Sequence, residues 1–172
     1  MNPVPMPKVS LSTARGFSLL EVLVALLVFS IGLMGVAGLQ LLGVSHSRDA
    51  YFRTQALTLS YDIADRMRAN LDAVDSGDYD GISGTLNTSC RSTSGCTPAQ
   101  MAADDVALWK QLLAGLPSAE GTVCIDNTFS DGTGSAAAAC DGTGNQYVVK
   151  VWWDDDLNPT TDKARLITVF VP

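Results

Sequence analysis

Charge is scarce in this chain, and histidine is scarcer. Only 17% of its 172 residues are Asp, Glu, Lys or Arg, and His46 is the one histidine. A His-based catalytic triad or a poly-His metal site would have to be built around that residue alone. No nucleophile and orienting acid stand at a telling spacing from it. HExxH, Gly-rich phosphate loops and Ser or Cys hydrolase signatures are also missing. The expectation is a protein with no catalytic residues, no cofactor and no resident metal. Basic side chains are the minority, 11 against 18 acidic ones, for a formal net charge of −7. That sign argues against nucleic acid as a partner. With 47% hydrophobic residues the composition excludes a disordered chain. The length suits one domain plus an anchoring segment.

Charge disappears altogether from Val22 to Val44, and no proline falls between Phe17 and Val44. Twenty or so apolar residues in a helix span a bilayer, about 30 Å of hydrocarbon. Lys8 and Arg15 precede the run, no acid stands among residues 1–16, and the next basic side chain after the run is Arg48. This asymmetry favours a cytoplasmic N-terminus, with the bulk of the chain across the membrane. The run is too long for the ~7–15-residue apolar region of a cleavable secretory signal, and it continues past the small-residue site Gly35-Val36-Ala37. A plain signal anchor fits the length but leaves Glu21 unexplained. A carboxylate inside a membrane helix costs ~2–3 kcal/mol unless it snorkels or finds a partner.

Arg15-Gly16-Phe17-Ser18-Leu19-Leu20-Glu21 combines a short basic leader, a Gly-Phe junction and a spaced acid at the head of the apolar helix. This segment resembles the leader junction of type IV prepilins. The resemblance implies cleavage after Gly16 on the cytoplasmic side by prepilin peptidase, and N-methylation of the new terminus at Phe17. It also implies that Glu21 neutralises the terminal amine of a neighbouring subunit during assembly. In an apolar bundle such a pairing is strengthened by the low dielectric and acts as a register device. Removing residues 1–16 takes Lys8 and Arg15 with it, so the remainder is more acidic than the −7 of the whole chain.

The segment from Phe17 to Asn70, including Arg53-Thr54-Gln55-Ala56 and Ala64-Asp65-Arg66-Met67-Arg68-Ala69-Asn70, is similar to the minor pilin group called type IV pilus modification protein PilV. The closing segment Ile167-Thr168-Val169-Phe170 fits it as well. One departure is the missing proline in the apolar helix, where Gly32, Gly35, Gly38 and Gly43 stand instead. They suit either close helix packing or local bending on entry into a filament. The resemblance implies a minor pilin that takes part in priming or tip-complex assembly of the pilus, and so in twitching motility and surface attachment. Implied partners are other minor pilins and the major pilin, prepilin peptidase, the inner-membrane assembly platform and, at the tip, an adhesin. The implied location is the inner membrane, single-pass with the C-terminal domain periplasmic, and the pilus at the cell surface after assembly. A minor pseudopilin of a type II secretion system and a membrane-tethered periplasmic binding module are the alternatives.

The expected organisation is a leader at 1–16, a transmembrane or filament-core helix at 17–44, and an exported globular domain at 45–172. Phe52, Ala56, Leu59, Ile63, Met67, Leu71 and Val74 recur at spacings of three and four. That pattern predicts an amphipathic continuation of the helix to about Ala73, packed on a sheet. Thr97-Pro98 opens a second helix as N-cap and first-turn proline, with Ala102, Val106, Trp109, Leu113 and Leu116 as its apolar stripe. Strands are expected over 122–126, 146–153 and 165–171. In the second of these, Tyr147, Val149, Val151 and Trp153 share one face and Val148, Lys150 and Trp152 the other. The last two strands form an antiparallel hairpin. The fold class is α+β, a long N-terminal helix on a small antiparallel sheet, type IV pilin-like.

Four cysteines suit an oxidising compartment. They allow three pairings, of which Cys90–Cys96 and Cys124–Cys140 close the shorter loops. Zinc is disfavoured because neither spacing is C-x2-C. Asp154, Asp156, Asn158, Thr160 and Asp162 alternate as in the opening of a calcium loop. Pro159 and Arg165 occupy the positions that need Gly and Glu, so a polar hairpin turn is the simpler reading. Asp72, Asp75, Asp78 and Asp80 read as a solvated acidic loop or a contact surface for a basic partner.

Overall fold

The computed structural model describes residues 16–157 and 162–171. The chain divides into two compact units, residues 1–44 and 45–172. Helix α1 runs from Leu19 to Ala69. Within the first unit every described side chain from Phe17 to Val44 is exposed.

In the second unit the remainder of α1 buries Ala56, Ser60, Ile63, Ala64 and Met67. The helix stops where Asn70 leaves helical geometry, at φ −132° and ψ 57°. Its side-chain amide donates instead to the Pro98 carbonyl at 2.9 Å and to the Tyr79 hydroxyl at 3.3 Å. A short helix α2, Leu71–Asp75, follows. The break turns the apolar stripe. Ala73 and Val74 are buried, whereas Leu71, expected on the buried face, is 49% exposed.

Helix α3, Pro98–Leu113, begins with a full capping box between Thr97 and Gln100. The two reciprocal bonds satisfy donors that a helix start leaves open. Its stripe of Ala102, Val106, Trp109 and Leu113 is buried as the spacing predicts. The Trp109 indole N–H donates to the Leu59 carbonyl of α1 at 2.9 Å, so the largest side chain of α3 carries no unmet polar group.

Strands β1 (Glu120–Ile125), β2 (Tyr147–Trp153) and β3 (Ala164–Phe170) form an antiparallel sheet in the order β1-β2-β3. Tyr147, Val149, Val151 and Trp153 join the core with the helical stripes. Gly121 is where α3 meets β1 most closely. A Cβ there would lie 2.6 Å from both the Trp109 ring and Leu113 Cδ1. The opposite face of β2 departs from simple alternation with solvent, because Val148, Lys150 and Trp152 are buried too. Chain from the segment between β1 and β2 reaches their level. Within it Gly132, at φ +84°, would place a Cβ 2.5 Å from the Ala138 carbonyl oxygen.

Candidate functional site: the helix head and the anchored strap

Helix α1 opens directly after the Gly-Phe junction. The Ser18 hydroxyl oxygen accepts from the Glu21 N–H at 3.2 Å, which caps the first turn. Gly16 and Phe17 precede that turn, outside the helix, and Phe17 is 83% exposed. A Cβ at Gly16 would meet nothing within 4 Å, so this chain's own packing does not call for glycine there. Glu21 is exposed among Phe17, Val22, Ala25, Leu26 and Phe29, which line one shallow apolar depression with it. The leader residues 1–15 lie outside the described residues.

The globular unit holds two ionic clusters, one half-buried and one around a fully buried lysine. In the first, the Arg66 guanidinium donates to Asp62 at 2.9 Å and to Asp105 at 3.3 Å. The other oxygen of Asp105 accepts from the Tyr79 hydroxyl at 2.8 Å. Burial, reinforced by Asp105, raises the Tyr79 pKa, so the phenol keeps its proton. Arg66 and Asn70 belong to the segment that carries the resemblance in the sequence. Their partners Asp105, Tyr79 and Pro98 explain what they do locally: they fasten the end of α1 to α3.

The second cluster sits under the strap between β1 and β2. Lys150 is fully buried, and its ammonium reaches Asp126 at 2.5 Å, Asp131 at 2.8 Å and the Ala138 carbonyl at 2.8 Å. The ammonium thus donates to Asp131 and Ala138 and is ion-paired with Asp126. Burial pushes the Asp126 carboxyl up, but the Lys150 ammonium and the Thr128 N–H and hydroxyl outweigh it, and the group ends below its ordinary value. The structure bonds Cys124 to Cys140 across this strap, and Cys90 to Cys96 in the loop before α3. Cys124, Asp126 and Cys140 lie within 4.8 Å of one another, but both sulfurs are consumed by the disulfide and Asp126 by Lys150. Near the mouth of the strap, Lys163 bonds Glu120, which also accepts from Ser135, and both hold the Glu120 carboxyl below its usual range.

Sequence reasoning passed over the Lys150 cluster. The available signal was one lysine inside an otherwise apolar strand, facing a segment with aspartates. Among the remaining candidates, His46 is exposed, and the acidic run is mixed. Asp72, Asp75 and Asp80 are exposed, yet Asp80 also accepts from the Ile125 N–H at 2.8 Å. With burial leading, Asp80, Asp78 and Asp75 push the Tyr147 phenol up to about 12. Of the alternating set after β2, Asn158 and Thr160 lie outside the described residues, while Asp154 is buried.

The long apolar helix with its capped, accessible head fits a membrane anchor, and the α+β unit is stapled by two disulfides. The prokaryotic N-terminal methylation motif matches residues 11–37, and the type IV pilin Tt1218 family matches residues 38–107. The two matches run end to end through the leader junction, α1 and most of α3, and with the fold they support a type IV pilin. No curated protein and no solved structure matches it.

Proposed function

We propose that this pilin is a minor subunit of the type IV pilus, of the PilV-like kind, acting in the priming or tip complex and so in twitching motility and attachment. One observation carries the reading. The apolar helix presents an unbroken exposed surface whose one ionisable group, Glu21, stands four residues after an accessible Phe17. Such a surface needs lipid before assembly and other helices after it. Gly16 is the cleavage point in this reading. Glycine is unnecessary there for packing, which leaves an external reader, prepilin peptidase, as the reason for it. Cleavage exposes the Phe17 amine for methylation, and Glu21 compensates a terminal amine inside the filament. The exported unit then selects its neighbours among the other minor pilins, the major pilin and a tip adhesin. Until the assembly platform recruits it, the subunit waits in the inner membrane with residues 45–172 in the periplasm. Its role is structural, with no reaction of its own.

Intact-mass and N-terminal peptide analysis of membrane-extracted protein tests this, with and without active prepilin peptidase. The expected product starts at N-methylated Phe17 only when the peptidase is active. A start at Met1 or Gly38 in both strains overturns the reading. Deleting the gene should reduce surface pili and twitching; loss of protein secretion with intact pili would assign the chain to a secretion pseudopilus instead.

A further inference from the structure

The two edges of the sheet are treated differently. The Asp126 N–H donates to the Gln146 carbonyl at 3.4 Å, continuing the β1–β2 ladder. In an antiparallel ladder bonded and non-bonded pairs alternate, so Cys124/Val148, Thr122/Lys150 and Glu120/Trp152 are bonded pairs as well. Tyr147, Val149, Val151 and Trp153 therefore turn their backbone groups toward β3, where they meet Phe170, Thr168, Leu166 and Ala164. The outward backbone groups are those of Gly121, Val123 and Ile125 on β1, and of Arg165, Ile167 and Val169 on β3.

The β1 edge is closed along part of its length, at Val123 and Ile125. Gly81 N–H donates to the Val123 carbonyl at 2.9 Å, Gly142 N–H to the Ile125 carbonyl at 3.0 Å, and Asp80 takes the Ile125 N–H at 2.8 Å. On β3 no described residue pairs with the outward N–H or C=O of Arg165, Ile167 or Val169. That edge has no bulge, and no proline from Ala164 to Val171. Its sequence, Leu166-Ile167-Thr168-Val169-Phe170, favours extended pairing, and Val169 is 41% exposed. Proteins usually blunt such an edge, because it templates another strand. Charge is also locally reversed. Residues 163–171 carry Lys163, which Glu120 pairs, and Arg165, which has no acid of its own segment beside it, in a chain with 18 acidic and 11 basic side chains. The Arg165 guanidinium contacts only the carbonyls of Gly132 and Ser130, and no carboxylate among the described residues answers it.

We propose that the free edge of β3 is an assembly surface that receives an extended, carboxylate-bearing strand of a different pilin subunit, continuing the sheet by backbone pairing to Arg165, Ile167 and Val169. This rests on the minor-pilin reading above. A second copy of the chain fits poorly: its β1 edge is already occupied at Val123 and Ile125, and its β3 edge would set a second Arg165 against the first. Strand addition supplies affinity through the main chain and selects its partner through side chains on alternate positions.

Hydrogen exchange on the full detergent-solubilised chain reads the edge directly. Purified pilin subunits encoded by the same organism would be added one at a time. The amides of Arg165, Ile167 and Val169 should exchange freely alone and slow at least about tenfold with one of those subunits, while the inward amides of Leu166 and Thr168 are already slow. Protection that develops in the chain alone as its concentration rises, or with none of the subunits, overturns the proposal. In cells, Val169→Pro removes an outward N–H that the fold does not use, and Val169→Ala keeps it. Val169→Pro should fail to restore pili to a deletion strain although it melts with the wild type, and Val169→Ala should restore them. If Val169→Pro misfolds, the exchange result decides. If deletion abolishes pili and Val169→Pro restores them, the edge proposal falls while the minor-pilin reading stands. If deletion leaves pili unchanged, both fall.

Discussion

Lys150 shows how much one side chain can hold. Its stem lies among buried strand residues and its ammonium is enclosed by Asp126, Asp131 and a carbonyl. A buried ion pair adds little over an apolar replacement of both partners, but removal of one partner strands the other's charge. Lys150→Met should therefore cost about 3–5 kcal/mol, read as thermal unfolding of the detergent-solubilised chain at neutral pH. The pH dependence should also weaken. In the wild type Asp126 and Glu120 are held below the ordinary carboxylate range. They stabilise the fold above the unfolded value of about 4, and that stabilisation is lost as pH falls through their lower native values. Without Lys150, only the Thr128 N–H and hydroxyl oppose the burial of Asp126, so its carboxyl rises from the wild-type position and the variant should recover stability relative to wild type on acidification. A stability deficit that stays constant from neutral pH down to below the carboxylate range would contradict this account of the cluster.

Among the elements, α3 is the clearest case of local chemistry agreeing with tertiary need. Its capping box, first-turn proline and apolar stripe are all legible in residues 97–113, and the structure uses each of them. Gly121 is different. Nothing in the sequence around it distinguishes it from the chain's 14 other glycines, yet it admits the Trp109 ring against β1. Overpacking of this kind costs about 1–3 kcal/mol, so Gly121→Ala should lower the melting temperature measurably. Gly38→Ala, at a position with open space around it, should leave the fold of the globular unit intact. Equal melting of Gly121→Ala and wild type would mean that α3 and β1 can separate without cost. The end of α1 was legible only in part. The spacing carries the stripe through Leu71, but Asn70 is drawn away by Pro98 and Tyr79, contacts distant in sequence, and the following residue rotates out.

On the scale of the whole molecule, the strap between β1 and β2 is the segment with the least secondary structure and the most fastenings. Its residues Ser135-Ala136-Ala137-Ala138-Ala139 have little reason to stay ordered unaided. Cys124–Cys140, the Lys150 cluster and the Glu120–Ser135 bond hold it across the sheet. Replacing both cysteines of that pair by serine should cost about 2–5 kcal/mol, and should raise amide exchange in the strap well before β2. Uniform exchange across strap and sheet would show instead that they unfold as one unit.

What the sequence determined by itself was whatever depends on neighbours along the chain. The unbroken apolar helix, the capped second helix and three strands follow from periodicity, charge and cap chemistry, which act over a few residues. Tertiary structure alone decided what depends on distant partners. It buried the second face of β2 by laying the strap over Lys150, gave Arg66 and Asn70 their bonds to Asp105 and Pro98 of α3, and closed part of one sheet edge while leaving the other open. Those outcomes arise from contacts between residues tens of positions apart, where the satisfaction of buried charges and backbone groups, and not local propensity, selects the arrangement.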